Sequence, residues 1–161
     1  MSGADIILRD AQPADVPVIH RLVRALAEFE KLAHEMQASE ADFAAALFGP
    51  RAHIRALIAE VAGGAAGFAL WFYNFSTFTG RSGLYLEDIF VEPAHRGVGV
   101  GQAIFRELAR RALAEGCARL EWSVLNWNEN AIRFYRRIGA KPMDDWTVQR
   151  LSGPALAALA G

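Results

Sequence analysis

Cysteine is almost missing from this chain, and Cys117 is the single example. One thiol closes no intrachain disulfide and builds no thiolate metal site. Lysine is nearly as scarce, with only Lys31 and Lys141, so the 17 basic Lys and Arg residues are almost all arginine. They meet 18 acidic residues, for a formal net charge of −1. No basic stripe is present, and nucleic acid is not an expected partner. Uncharged apolar stretches fall short of the ~18 residues that a membrane span needs, so no membrane association is expected. Met1 to Asp5 shows no basic region followed by an apolar run. No secretion signal is therefore expected, and the reading is cytoplasmic. The four histidines, His20, His34, His53 and His95, have neither metal-ligand spacing nor a nucleophile beside them. No metal is expected.

What the chain does have is apolar material. Of its 161 residues, 53% are hydrophobic and 22% charged, enough for one core, and residues 1–161 read as a single domain. Ile6 to Arg9 is a short strand. Val16, Ile19, Leu22, Val23, Leu26 and Phe29 recur at three and four, which predicts an amphipathic helix. A second helix follows Ser39, with Asp42 completing a capping box, and stops before Gly49-Pro50. Residues 54–61 and the aromatic-rich run from Phe68 to Phe75 read as strands about a Gly63-Gly64 turn. A further strand spans 84–91. After it come a helix over 101–114, a strand over 120–125, a helix over 128–138 and a last strand over 146–151. The order β-α-α-β-β-β-α-β-α-β predicts an α/β (α+β) fold, a mixed and mostly antiparallel central sheet flanked by helices. The aromatics from Trp71 to Phe78 and the apolar tail from Pro154 to Ala160 suggest contact with a partner.

The segment Val91-Glu92-Pro93-Ala94-His95-Arg96-Gly97-Val98-Gly99-Val100-Gly101-Gln102 stands between a strand and a helix. Alternating glycines let backbone N–H groups converge on one point, and the helix that follows opens with unpaired donors and a positive dipole end. Such a turn suits a phosphate, here a pyrophosphate. Gly101-Gln102-Ala103 is not a P-loop ending, and neither glycine register completes a dinucleotide fingerprint. The competing reading is a glycine turn with structural duties only.

Glu87 and Asp88 interrupt an apolar strand. Unbroken alternation would put Leu84, Leu86, Asp88 and Phe90 on one side, with Tyr85, Glu87, Ile89 and Val91 on the other, so the two acids would not share a proton. Asp88 reads as a satisfied structural carboxylate. Glu87 reads as functional, because its strand leads straight into the phosphate turn. Tyr135 lies on a helical stripe with Ala131, Phe134 and Ile138, where both core and catalytic readings stand. Asn128 is an N-cap candidate. Phe29 and Glu30 end the first helix and, on composition, read as its solvated end.

Arg96-Gly97-Val98-Gly99-Val100-Gly101 resembles the Q/R-x-x-G-x-G/A acyl-CoA signature of the GNAT superfamily of N-acetyltransferases. Three further segments resemble its diamine (spermidine/spermine) and thialysine acetyltransferases. They are Leu26-Ala27-Glu28-Phe29-Glu30, Leu84-Tyr85-Leu86-Glu87-Asp88-Ile89-Phe90-Val91, and Trp127 to Tyr135 with Gly139-Ala140. The resemblance implies the GNAT acyltransferase fold, acetyl-CoA as acyl donor, a small cationic amine as acceptor, and a homodimer. It implies that Glu87 contacts the amine and promotes its deprotonation, and that Tyr135 protonates the leaving thiolate. Donor contacts would come from Ile89, Phe90 and Val91, from Arg96, Gly97, Val98, Gly99, Val100, Gly101 and Gln102, and from Asn128, Asn130 and Ala131. Acceptor contacts would come from Phe29, Glu30 and Glu87, with Glu121, Trp122 and Ser123 matching by position but not by residue type. The loop over 141–146 is shorter than in the diamine enzymes, which removes an acidic contact there or moves it to Asp144 or Asp145. An aminoglycoside or a protein N-terminus is the neighbouring acceptor reading. A CoA-binding interaction domain without catalysis is the reading from another class, and it has no use for both Glu87 and Tyr135.

Overall fold

The computed structural model describes residues 5–161, which form two compact units, one up to Ser123 and one from Val124 onward. The first holds β1 (Ile6–Asp10), α1 (Val16–Phe29), α2 (Glu40–Phe48), β2 (Arg55–Val61), β3 (Gly64–Ser76), β4 (Arg81–Val91), α3 (Val100–Ala114) and β5 (Leu120–Trp122). The second holds α4 (Glu129–Arg137) and α5 (Gly153–Ala160). The strands form one sheet in the order β1-β2-β3-β4-β5, antiparallel throughout except for the parallel β4–β5 pair. This is the mixed, mostly antiparallel sheet expected. Among the described residues no helix is long and apolar enough to cross a membrane.

Local chemistry explains most boundaries. At the start of α2 the Ser39 amide donates to Asp42 Oδ2 at 2.8 Å and the Asp42 amide donates to Ser39 Oγ at 3.3 Å, the expected capping box. The β2–β3 turn sits one residue earlier than expected. Ala62 (φ 52°) and Gly63 (φ 78°) are its two left-handed residues, as a two-residue hairpin requires, and Gly64 already belongs to β3. The expected strand over 120–125 stops at Trp122. The expected strand over 146–151 does not form; those residues adopt no regular structure, and a helix, α5, follows them.

Helices α1 and α2 cover one face of the sheet. Ile19, Leu22 and Leu47 pack there with Ile58, Phe68, Leu70 and Phe90. Ile19 and Leu22 are fully buried, and each contributes about 1.5–3 kcal/mol relative to exposure. Helix α3 covers the other face with buried Ile104, Phe105 and Leu108; Phe105 lies 4.8 Å from the Trp122 ring.

Strand β4 departs from the expected alternation at the position that matters most. Leu70 of β3 pairs with Asp88, yet the next residue, Trp71, pairs with Leu86. Glu87 is therefore an extra residue, a β-bulge. Leu70 and Trp71 face opposite sides of the sheet, so their partners do too. Leu84 and Leu86 go with Trp71 to the α3 layer, whereas Asp88 and Phe90 go with Leu70 and Phe68 to the α1–α2 layer. The four side chains expected on one side are split two and two. Counting by twos from Tyr85 puts Glu87 on the side that Asp88 now occupies, so the expected separation of the two acids is lost as well.

Candidate functional site

The glycine turn has the geometry of an anion cradle. Gly97 (φ 80°) and Gly99 (φ 97°) are left-handed, a conformation that side chains disfavour. Gly99 is the N-cap of the 15-residue α3, with no side-chain cap bond. A Cβ at Gly97 or Gly101 would meet nothing within 4 Å. There is thus room beside Gly97 and Gly101, and the N–H groups that open α3, which no side chain caps, have the positive end of the helix behind them. These residues fit a diphosphate.

The strand leading into the turn is half unpaired. Strand β5 pairs with β4 only over Leu84, Tyr85 and Leu86, while β3 accompanies β4 as far as Val91. From Glu87 to Val91, including the expected donor residues Ile89, Phe90 and Val91, no strand lies along the second edge among the described residues. An extended ligand arm can hydrogen-bond there as a strand would.

The acids sort into two groups. Most buried or half-buried carboxylates hold a guanidinium: Asp15 and Glu60 both meet Arg9 at 2.7 Å, and Glu107 meets Arg111 at 2.7 Å. Glu121 meets Arg119 at 2.8 Å, and Glu92 pairs with Arg21. Glu30 and Asp88 are the half-buried acids with no ion-pair partner among the described residues. They are close enough to feel one another. Burial, then the charges of Glu87 and Glu30, push the Asp88 carboxyl up to about 6. Burial pushes Glu30 up as well. The bulge brings this about, because it turns Asp88 toward the α1 layer, where Glu30 follows the last residue of the helix. Glu87 is exposed on the bulge itself. Asp88 was expected to be a satisfied carboxylate; among the described residues no ion-pair partner satisfies it. Nothing in the sequence marks a bulge, so period-two reasoning passes over this residue.

Arg96 opens the signature, and its side chain turns back onto the same layer. Its Nε donates to the Val91 carbonyl at 2.8 Å. Its guanidinium carbon lies 4.8 Å from the centroid of Phe29 and 5.3 Å from that of Phe90. The two rings are 6.5 Å apart. Phe29 and Arg96, expected on the acceptor and donor sides respectively, are thus in contact.

The remaining expected residues are distributed as follows. Val98, Val100 and Gln102 belong to the turn and the first turn of α3. Glu121 is held by Arg119, Trp122 packs on Phe105, and Ser123 Oγ lies 2.9 Å from the Tyr85 hydroxyl. In the second unit, Asn128 caps α4 by accepting from the Ala131 amide at 3.3 Å. Asn130 Oδ1 accepts from Arg133 one turn on. Tyr135 is half-buried on α4 with its ring centroid 5.8 Å from that of Phe134.

Comparison with known proteins shows the family. The profile of the Acetyltransferase (GNAT) family matches residues 19–140. The chain is 38% identical to thialysine N-epsilon-acetyltransferase of Mus musculus over 96% of each protein. It is 30% identical to an L-ornithine N5-acetyltransferase of Arabidopsis thaliana, over 94% of this chain and 86% of that one. The structure of an integron cassette protein from the mobile metagenome of V. cholerae superposes with a TM-score of 0.80 at 24% identity, covering 98% of this chain and 99% of that one. The glycine turn, the half-open β4 and these relatives identify the chain as a member of the GNAT acetyltransferase family, an acyltransferase enzyme.

Proposed function

We propose that this protein transfers the acetyl group of acetyl-CoA to a primary amine of a small cationic acceptor, a diamine, polyamine or lysine-like amino acid, by direct attack in a ternary complex. The observation that carries the acceptor class is the half-buried pair Glu30 and Asp88 beside the exposed Glu87, with no cation among the described residues in a chain that otherwise pairs its withdrawn acids with arginine. A carboxylate removed from water needs a counter-charge or its own proton. An ammonium group supplies the first. The named acceptors of the relatives, thialysine and L-ornithine, are amines of this kind.

When bound, acetyl-CoA supplies an activated thioester carbonyl. The N–H groups at Gly97 to Gln102 hold its diphosphate, and the free edge of β4 from Ile89 to Val91 aligns its extended arm. Asn128, Asn130 and Ala131 are assigned to the donor by the resemblance of their segment to the family. An alkyl ammonium has a pKa near ~10.4, so only about one part in two thousand is neutral at pH 7. Glu87 accepts the ammonium proton, directly or through water; the neutral nitrogen bonds to the carbonyl carbon as the C–S bond breaks, and its second proton is lost to water, which in turn reprotonates Tyr135. Tyr135 gives its phenolic proton to the departing sulfur, a task suited to a group that stays protonated at neutral pH with a free pKa near ~10. Holding both reactants in place can supply ~7–11 kcal/mol of the barrier. The chain works as one domain, which the family match across both units supports, and as a homodimer.

The test is release of free CoA thiol on mixing the purified chain with acetyl-CoA and a panel of putrescine, spermidine, lysine and thialysine. Turnover with at least one of them is expected. Turnover only with an aminoglycoside or a peptide N-terminus would move the acceptor class. No release with any amine, alongside tight CoA binding, would leave a CoA-binding interaction domain.

A further inference from the structure

Arg96 starts at the donor turn and ends on an acceptor-side ring. Its backbone belongs to the turn that would hold the diphosphate, and its guanidinium lies over Phe29 and Phe90. A guanidinium carries five N–H donors. Here only Nε is spent, on the Val91 carbonyl, and Arg96 has no carboxylate partner among the described residues. Beyond that bond the charge rests on the two ring faces, a weak interaction. A diphosphate arriving at the turn offers bidentate, doubly charged acceptors, which attract a guanidinium more strongly. The ring that Arg96 covers adjoins Glu30, where an incoming ammonium would seek both a π face and a carboxylate.

We infer that Arg96 is a positioning residue that makes acceptor binding depend on bound donor: without CoA its guanidinium occupies the Phe29 face that the acceptor's ammonium needs, and the CoA diphosphate draws it away. The inference rests on the acceptor site proposed above. Its consequence is reciprocal, since a donor that improves acceptor affinity by some factor has its own affinity improved by the same factor. A cation on the chain stands in for a cation in solution until the donor arrives.

The experiment is calorimetric titration of putrescine into the full chain, with and without saturating CoA, which has no acetyl group to transfer. Putrescine should bind wild type at least tenfold more tightly when CoA is present. Arg96→Ala should bring that ratio within twofold of unity by improving the affinity of the CoA-free protein, and should weaken CoA itself. Arg96→Lys, which keeps the charge but loses the planar fork, should restore part of the ratio. Phe29→Leu gives an independent arm: the ratio should fall while CoA binds at least as tightly as to wild type, because the ring that competes with the diphosphate for Arg96 is lost. Equal putrescine affinity with and without CoA in wild type would overturn the inference. So would an Arg96→Ala ratio matching wild type. The acceptor reading fails separately, when wild type releases no CoA thiol with any amine.

Discussion

Arg9 donates to both carboxylate oxygens of Asp15, at 2.7 and 2.9 Å, and its Nε donates to Glu60 at 2.7 Å. One guanidinium thereby ties the end of β1 to the turn before α1 and to β2. The arrangement holds the Asp15 carboxyl below its ordinary value, chiefly through the hydrogen bonds from Arg9.

Arg9→Met should destabilise the fold by about 1–2 kcal/mol, a moderate cost because the Arg9 side chain is 37% exposed and solvent screens the pair. The sign with pH is fixed. A depressed carboxylate stabilises the folded state above its unfolded value near 3.8, and that contribution is lost as pH falls through the lower folded value. Urea unfolding at pH 7 and pH 3 should show the variant penalty at pH 7 and a smaller one at pH 3.

Asp88 has the opposite sign. With its carboxyl pushed up to about 6, the folded state holds that proton more tightly than the unfolded chain does. Its effect is to lower stability as pH rises from about 4 to 6, after which the penalty is constant. Asp88→Asn should therefore melt at a higher temperature than wild type at pH 8, with the gap closing toward pH 4. Its KM for putrescine should rise at least fivefold, since the acceptor loses a counter-charge. Thermal melts across pH and initial-rate kinetics check the two halves separately.

The two signature glycines should respond differently to the same methyl group. Gly99→Ala forces a side chain into a left-handed backbone at φ 97°, a cost of about 1–2 kcal/mol, and it should weaken CoA binding. Gly101 lies in the first turn of α3 without a positive φ and with open space around it. Gly101→Ala should stabilise the helix by up to about 1 kcal/mol. Paired melting curves and CoA titrations distinguish the two.

Glu87→Gln should lower turnover by about 10²-fold or more and shift the pH profile upward, because the amine must then shed its proton unaided. Tyr135→Phe should lower kcat on a similar scale while leaving the acceptor KM within twofold. A Glu87→Gln enzyme with the wild-type rate and profile would remove that residue from the chemistry.

The parts of this molecule that the sequence announces are those governed by short-range rules. Ser39 and Asp42 cap α2 as their spacing requires, and the spacing of Val16, Ile19 and Leu22 forms α1 as read. The glycine turn was legible because three alternating glycines before a helix have few other uses. What escaped is what depends on a partner strand. The bulge at Glu87 exists only in the register between β3 and β4, and no local pattern in 84–91 encodes it. Missing it put Asp88 on the wrong face and hid its meeting with Glu30. Trp146 to Leu151 alternates like a strand, but no strand in the described residues pairs with it. Helix α5 was readable in principle: Ser152 is its N-cap residue, Pro154 sits in its first turn, and alanine and leucine fill it.

A last consequence follows from the lopsided pairing of β4. Leu84 to Leu86 have a strand on each side, and among the described residues the stretch from Glu87 to Val91 has one. A row of amides left open in that way is also a template on which another polypeptide can lie down. The nucleotide-thiol substrate should then act as a guard as well as a reactant: enzyme stored with saturating CoA should scatter light more slowly on standing than enzyme stored alone.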